Sequence, residues 1–319
     1  MRKIFWKKAA AWMLVGTLGL GFCMSAYASE SDTDEAEATD TEEEVTVEED
    51  DKPYIALGAD LSSDERATVL SLFGLTEDDL EEYDVVTVTN EQEHEYLDSY
   101  IDSSTIGTRA LSSVVVMEAE SGNGITVTTK NITYCTAGMY ENALATAGVE
   151  DADVIVAGPF AISGTAALIG AIEAYSVMTG EEIEEDVIDG AVEEIVVTGA
   201  IEESTGSTDE VEGMVAYLKE QIADSEDMTD EELQEEIEAA AEQFEVSLTQ
   251  DEIDQLISLL KKLQGMDLNW DNIAKQAQSV YDKLKGMGFD LSSIDTDEIA
   301  TKASGFFGKI LEFFKSLFS

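Results

Sequence analysis

Between residues 54 and 180, short apolar runs alternate with amphipathic segments, and this alternation constrains the fold more than any other feature of the sequence. The runs at 54–57 and 154–157 have the length and composition of buried strands. An amphipathic segment follows the first run. Ser62 at its start and Glu65 three residues later form a pair typical of a capping box. Strands that alternate with helices predict a mixed sheet covered by helices.

Three further strands are predicted in the same region. Residues 85–88 are strand-like, and the runs at 111–118 and 125–132 flank Ser121-Gly122-Asn123-Gly124, a sequence typical of a tight turn. We therefore expect the last two strands to form a hairpin. The helices between the strands are expected to start at three cap residues: Asn90 (paired with Glu93), Thr136 and Ser163.

After Gly180 the strand pattern fades and helix starts recur. Residues 187–196 have helical spacing, although 195–198 could also form a strand. A further helix is predicted to begin at Asn269. Four capping pairs mark other starts: Ser207 with Glu210, Thr229 with Glu232, Thr249 with Glu252, and Asp295 with Glu298. The sequence thus predicts an α/β (α+β) domain with a mixed sheet over residues 52–200, followed by an all-helical region over residues 201–319.

Charge is distributed unevenly along the chain. Between Glu30 and Leu260 there are sixty-two acidic residues and five basic ones, whereas residues 261–319 contain eight of each. An anionic body repels nucleic acid and anionic membranes at long range, and it attracts cations. We therefore expect no nucleic-acid partner, and no cofactor beyond weak, non-specific binding of divalent cations. Solubility outside the cell would by itself account for the acidity, so the charge does not identify a ligand.

The first twenty-eight residues have the order of a secretory signal peptide. Four basic residues precede an apolar run at 9–24: Arg2, Lys3, Lys7 and Lys8. The run ends at the small-x-small site Ala26-Tyr27-Ala28, so we expect secretion with cleavage after Ala28. The alternative is a lipoprotein anchored through Cys23, but Phe22 is large where a small residue is usual. Residues 29–51 contain thirteen acids and no base, which predicts a disordered acidic linker.

Three blocks stand in order along the chain: Ile-Gly-Thr-Arg-Ala-Leu-Ser-Ser at 106–113, Tyr-Glu-Asn-Ala-Leu-Ala-Thr-Ala-Gly at 140–148, and Pro-Phe-Ala-Ile-Ser-Gly-Thr-Ala-Ala-Leu at 159–168. Together they resemble the YpuA-like secreted proteins, the family of domain of unknown function 1002. The likeness runs from about residue 55 to residue 284. The resemblance implies secretion by Gram-positive bacteria and no established activity, and it supplies no catalytic residues to assign.

Histidine is nearly absent, which argues against many catalytic and metal-binding arrangements. His94 is the only histidine, and it lies among acidic residues on a predicted helix. We interpret it as part of a solvated polar face, with a ligand of a carboxylate-rich cation site as the alternative. Cys135 is the only cysteine that would remain after cleavage, and we interpret it as a half-buried structural thiol. No catalytic residue and no metal ligand is therefore predicted.

Two positions are the best candidates for contact with a ligand. Ser163, Gly164 and Thr165 open a helix after a strand, where free backbone amides can hold an anion, although ordinary capping explains the same residues. Arg109 precedes another strand, and either a structural bidentate pair with a carboxylate or an anionic ligand would account for it. Clustering of the two positions in one cleft would favour a ligand site.

The last residues of the chain predict an amphipathic helix. Such a helix either docks onto the preceding helices or contacts a protein partner or a membrane surface. Its contact residues are Phe306, Phe307, Ile310, Phe313, Phe314 and Leu317.

Two classes of function remain open on these grounds. The first is a secreted, envelope-associated and non-enzymatic protein that binds a wall component or another protein. The second is a carboxylate-based hydrolase that acts on a cell-wall or extracellular polymer, since two acids alone can cleave a glycosidic bond. Among seventy acidic residues, pattern alone does not nominate such a pair.

Overall fold

A computed structural model describes residues 53–101, 103–179, 183–223 and 228–287. Five strands form one sheet: β1 (Tyr54–Gly58), β2 (Asp84–Val88), β3 (Ser113–Glu118), β4 (Ile125–Ile132) and β5 (Ala152–Ile162). Their order across the sheet is β2-β1-β3-β5-β4. The outer pairs β1–β2 and β4–β5 are parallel, and β3 runs antiparallel to both of its neighbours. The predicted mixed sheet is confirmed.

Helices connect the strands and then continue alone. The first group is α1 (Ser63–Phe73), a short 3-10 helix (Glu77–Glu82), α2 (Asn90–Leu97), α3 (Ser103–Ile106), α4 (Ala137–Thr146) and α5 (Thr165–Thr179). The second group is α6 (Glu185–Thr205), α7 (Asp209–Ala223), α8 (Asp230–Gln243), α9 (Gln250–Gln264) and α10 (Trp270–Met287). The second group confirms the predicted helical C-terminal region, and residues 195–198 are helical.

The predicted hairpin between β3 and β4 is wrong, because β5 lies between these two strands. The turn itself forms, but Asp151, next to the start of β5, accepts hydrogen bonds from the amides of Gly122 (2.9 Å) and Gly124 (2.7 Å). Burial explains the order. The first half of β4 alternates buried and exposed residues, as suits an edge, whereas Val156 and Ala157 of β5 are adjacent and both fully buried.

Most predicted helix starts lie at the capping residues that the sequence indicates. Ser62 and Glu65, Thr229 and Glu232, and Thr249 and Glu252 form capping boxes, and Thr136 caps α4. The amide of Asn272 donates to Asn269 Oδ1 (3.1 Å), as expected for the start of α10. A side-chain oxygen at each of these positions satisfies an amide that the helix cannot pair internally.

Three predicted starts are shifted. In α2 the cap is Thr89 with Gln92, one residue before the predicted Asn90 and Glu93. Helix α5 begins at Thr165, and Ser112 Oγ accepts from the amide of Ala167 (2.9 Å), so Ser163 is not the cap. The third case is α7, which begins at Asp209 and follows Thr208 rather than Ser207. The Asp295–Glu298 pair lies outside the described residues.

The sheet separates two apolar clusters. On one face, Ile55 and Leu57 of β1 pack with Val69 and Leu70 of α1. On the other face, Ala56 belongs to a larger cluster that continues through α5 and the later helices. The apolar residues at helical spacing along α10 are all buried: Ile273, Ala277, Val280, Tyr281 and Leu284. Within the described ranges, no helix is both long and apolar enough to cross a membrane. The predicted signal peptide, acidic linker and C-terminal amphipathic helix lie outside these ranges.

Candidate functional site

One edge of the sheet gathers the chain segments that build a cleft. The carboxyl ends of β1, β2, β4 and β5 meet there with the amino end of β3, as the strand directions require. In open α/β sheets this edge is the usual position of a ligand. A cleft of ≈ 310 Å³ opens at this edge, and Arg109, Phe160 and Ser163 all line it. The two candidate positions, Arg109 and Ser163, therefore share one cleft.

Arg109 forms a bidentate ion pair with Glu65 of α1. Its Nη1 donates to Glu65 Oε1 (3.1 Å), and its Nη2 donates to Glu65 Oε2 (2.6 Å) and to the Asp60 carbonyl oxygen (2.7 Å). Chiefly through the Arg109 hydrogen bond, this pairing lowers the pKa of Glu65 to about 2. The Arg109 side chain nevertheless remains 44% exposed, so it holds the loop against α1 and still faces the cleft.

His94 fastens the other side of the same loop. Its Nε2 lies 2.9 Å from the Gly107 carbonyl oxygen and its Nδ1 lies 2.7 Å from Asp98 Oδ1. Both partners are acceptors, so the ring donates from both nitrogens when it is protonated. The hydrogen bond to Asp98, and then that to Gly107, raise the pKa of His94 above its usual value. His94 therefore positions the loop that carries Arg109.

The three residues at the start of α5 have different roles. Ser163 lines the cleft, and its Oγ lies 3.3 Å from Thr165 Oγ1. Thr165 is buried and donates to Glu93 Oε1 (2.8 Å). Gly164 has a φ of 103°, its carbonyl accepts from the Tyr140 hydroxyl (2.6 Å), and an added Cβ would lie 2.7 Å from that hydroxyl. Gly164 and Thr165 therefore hold α5 in place, and Ser163 alone of the three lines the cleft.

Sequence reasoning missed Glu93 as a residue of the cleft. It is only 2% exposed, and burial raises the pKa of its carboxyl even though Thr165 and Asn90 donate hydrogen bonds to it. The sequence predicts that Glu93 pairs with Asn90 as a helix cap. Because Thr89 and Gln92 take that role, Glu93 turns inward. The neighbouring Thr-x-x-Gln pair was the signal that would have found it.

Phe160 is the second residue that the sequence did not nominate. Between the paired positions Lys130–Ala157 and Ile132–Ile162, β5 has four intervening residues where β4 has one. This bulge leaves Phe160 49% exposed beside the cleft, and the Asn131 side-chain amide stabilises the bulge by donating to the Gly158 carbonyl (3.0 Å). Gly158-Pro159 inside a strand is typical of such a bulge, because proline cannot donate to the sheet.

A larger cavity of ≈ 490 Å³ lies between α2 and α6 and is lined mainly by acids. Its residues include Glu95, Tyr96, Glu184, Glu185 and Asp189. Within the described part of the chain, no three His, Cys, Asp or Glu side chains are grouped so that they could hold a metal ion. The smaller cleft combines apolar, hydroxyl and guanidinium groups, which is the usual make-up of a ligand site, and we therefore prefer it.

Cys135 is fully buried rather than half-buried as the sequence suggested. Burial raises the pKa of its thiol to about 12, so the thiolate is not populated at neutral pH. This position supports the interpretation of Cys135 as a structural thiol.

Residues 57–280 match the family described as "Protein of unknown function (DUF1002)", and the chain belongs to this family. It is similar to "Uncharacterized protein YpuA" of Bacillus subtilis (strain 168), with 36% identity over 268 residues, which cover 83% of this chain and 87% of that protein. The resemblance drawn from the three sequence blocks is thus confirmed. No solved structure matches the chain. Neither description names an activity, so any function must be argued from the cleft.

Proposed function

We propose that this chain is a secreted, envelope-associated and non-enzymatic binding protein of a Gram-positive bacterium, and that its ligand occupies the cleft at the carboxyl edge of the sheet. The observation that carries the proposal is the convergence of Arg109, Phe160 and Ser163 on that cleft. An exposed aromatic beside a few polar groups is typical of a binding site. Secretion is supported by the order of basic, apolar and small residues over positions 1–28.

The chemistry of the described residues favours binding over nucleophilic catalysis. His94 is engaged by Asp98 and by the Gly107 carbonyl, so it does not serve as a free general base. Cys135 is buried with a raised pKa, which removes it as a nucleophile. In this proposal the predicted C-terminal helix supplies a second contact with the envelope. Its apolar face includes Phe306, Phe313 and Leu317.

Phe160→Ala is expected to reduce binding of the purified protein to isolated cell envelopes, because it removes the aromatic surface of the cleft. Co-sedimentation with washed envelopes measures the bound fraction. Val177→Ala is the matched control, since Val177 is 55% exposed on α5 and does not line the cleft. A chain that lacks residues 304–319 tests the C-terminal helix separately. An equal bound fraction for Phe160→Ala and Val177→Ala would contradict the proposal.

A carboxylate-based hydrolase is the second candidate, and one observation favours it. Burial raises the pKa of Glu93, whereas the hydrogen bond from Arg109 lowers that of Glu65 to about 2, so the pKa values of the two carboxyls are shifted in opposite directions. Such divergence is typical of acid and base pairs. The assay measures the release of reducing ends from envelope polysaccharide. Release by the intact chain would establish the hydrolase if Glu93→Gln lost this activity and kept the far-UV circular dichroism spectrum of the folded protein. Absence of any release would leave the binding function.

A further inference from the structure

We infer that the cleft binds a neutral saccharide ring, which stacks on Phe160 and exchanges hydrogen bonds with Arg109 and Ser163. This inference rests on the proposed function, in which the same cleft is the ligand site. It follows from the charge of the cleft, from the hydrogen-bonding groups that remain available, and from the position of the exposed aromatic.

An anionic ligand is disfavoured because the cation of the cleft is already neutralised. Of the residues that line the cleft, Arg109 is the basic one, and both of its terminal nitrogens donate to Glu65. The low pKa of Glu65 keeps the pair ionised at neutral pH. A phosphate or carboxylate ligand would meet a guanidinium whose charge Glu65 already balances, and it would approach a chain with a formal net charge of −53.

A cationic ligand is disfavoured for a parallel reason. Among the residues that line the cleft, Glu93 is the acidic one, and it is buried with its two oxygens accepting from Thr165 (2.8 Å) and Asn90 (3.2 Å). Burial also favours the neutral form of this carboxyl. Cations would instead meet the acidic cavity near Glu184 and Glu185.

The remaining polar groups suit hydroxyls, which both donate and accept. A guanidinium has five N–H donors, and Arg109 uses three of them in hydrogen bonds with the described residues, so two donors remain for a ligand. Thr165 donates its proton to Glu93, so Thr165 Oγ1 can accept from Ser163. Ser163 Oγ, on a residue that lines the cleft, then has lone pairs that can accept from a ligand. The residues that line the cleft thus include donors on Arg109 and an acceptor on Ser163.

The exposed ring of Phe160 also suits a saccharide ligand. Phe160 is 49% exposed on the β5 bulge, although burial of a phenylalanine side chain is favourable. A sugar ring has an apolar C–H face that covers an aromatic ring while its hydroxyls point outward to polar groups. The volume of ≈ 310 Å³ is at the lower end of small-molecule sites, about 300–1,000 Å³, which suits one or two rings of a chain.

The test uses the intact purified chain and two neutral oligosaccharides, a tetramer of N-acetylglucosamine for the wall glycan and a β-linked glucose tetramer for an exopolysaccharide. Inorganic phosphate and a neutral tetrapeptide are the comparison ligands. Titration calorimetry and saturation-transfer NMR measure binding. We expect one oligosaccharide to bind, with at least tenfold weaker affinity in Phe160→Ala, retained affinity in Phe160→Trp and no change in Val177→Ala.

The outcomes separate the ligand class from the proposed function. If phosphate or the peptide binds in a Phe160-dependent manner and neither oligosaccharide does, the saccharide inference is wrong and the binding function stands. Saccharide binding that is unchanged in Phe160→Ala would also overturn the inference. If Phe160→Ala binds isolated envelopes as well as the unmodified chain does, the proposed function itself fails.

Discussion

Replacement of Lys219 by alanine is expected to lower the free energy of unfolding by ~3–5 kcal/mol, since it leaves a buried carboxylate without its partner. Lys219 of α7 and Glu194 of α6 have side chains only 2% and 1% exposed, and Lys219 Nζ lies 2.7 Å from Glu194 Oε1. The ammonium also donates to the Asn142 carbonyl (2.8 Å) and to Thr146 Oγ1 (3.1 Å) of α4. All three N–H groups are therefore used, and the ion joins three helices.

Urea denaturation followed by far-UV circular dichroism measures the loss. The double variant Lys219→Met with Glu194→Met should recover much of the stability, because removal of both charges leaves neither ion unpaired. Lys261→Ala is the matched control, since Lys261 pairs with Asp230 in an exposed position and should change stability little. A Lys219→Ala protein as stable as the unmodified chain would show that Glu194 is hydrated rather than buried.

The helical spacing of the sequence indicates that Lys219 is buried, whereas the composition alone does not. Lys219 is one of five basic residues between Glu30 and Leu260, which suggests a solvated charge. Its helix, however, places Val215 four residues before it and Ile222 three residues after it, and both are buried. A helix buries positions with this spacing together, so the lysine had to be inside. The helical periodicity predicts that Lys219 is buried, but it does not identify Glu194 as the carboxylate that pairs with it.

The elements of the fold were predictable because their signals are local. Apolar runs predicted strands β1 to β5, and Ser62, Thr136, Thr229 and Thr249 indicated helix starts. The order of strands was not predictable in the same way. The turn at Gly122 and Gly124 indicates a change of direction, whereas the choice of β5 as the neighbour of both β3 and β4 depends on long-range burial.

The cleft was predictable in part. Arg109 and Ser163 were nominated because an arginine in an acidic chain and a strand-to-helix turn are both visible in sequence. Phe160 and Glu93 were not, because their positions depend on where the ladder between β4 and β5 bulges and on which threonine caps α2. A shift of one residue moves a side chain to the other face of a strand, and it turns a side chain by about 100° around a helix.

Stability is expected to fall as the pH rises from 5 to 9, because carboxyls between α4, α6 and α7 are buried. Burial raises the pKa of Glu141 to about 7 and that of Glu202 to about 8, from an ordinary value of 4.5. Glu212, buried beside Thr136, has a raised pKa for the same reason. Glu202 Oε1 is buried and makes no hydrogen bond with the described residues.

The direction of the effect follows from proton binding. A carboxyl with a raised pKa holds its proton more strongly in the folded chain than in the unfolded chain. Its contribution is therefore fully present below pH 4.5 and is lost as the pH rises through about 7 and 8. Glu65 has the opposite effect on stability, because its pKa in the folded chain is lowered to about 2. Its contribution to the free energy of unfolding is present above pH 4.5 and is lost as the pH falls from 4.5 toward 2. The two effects together place maximum stability near weakly acidic pH.

Thermal melting between pH 5 and pH 9 tests this expectation, and Glu141→Gln isolates one group. Glutamine keeps an oxygen for the Val127 amide, which lies 3.2 Å from Glu141 Oε1, and it has no proton to lose. The variant should therefore lose pH dependence on the order of 2 kcal/mol, after a discount for the partial exposure of Glu141. Glu235→Gln on the exposed face of α8 is the control and should keep the slope of the unmodified chain. Equal slopes for Glu141→Gln and the unmodified chain would mean that the Glu141 carboxyl is ionised and hydrated at neutral pH.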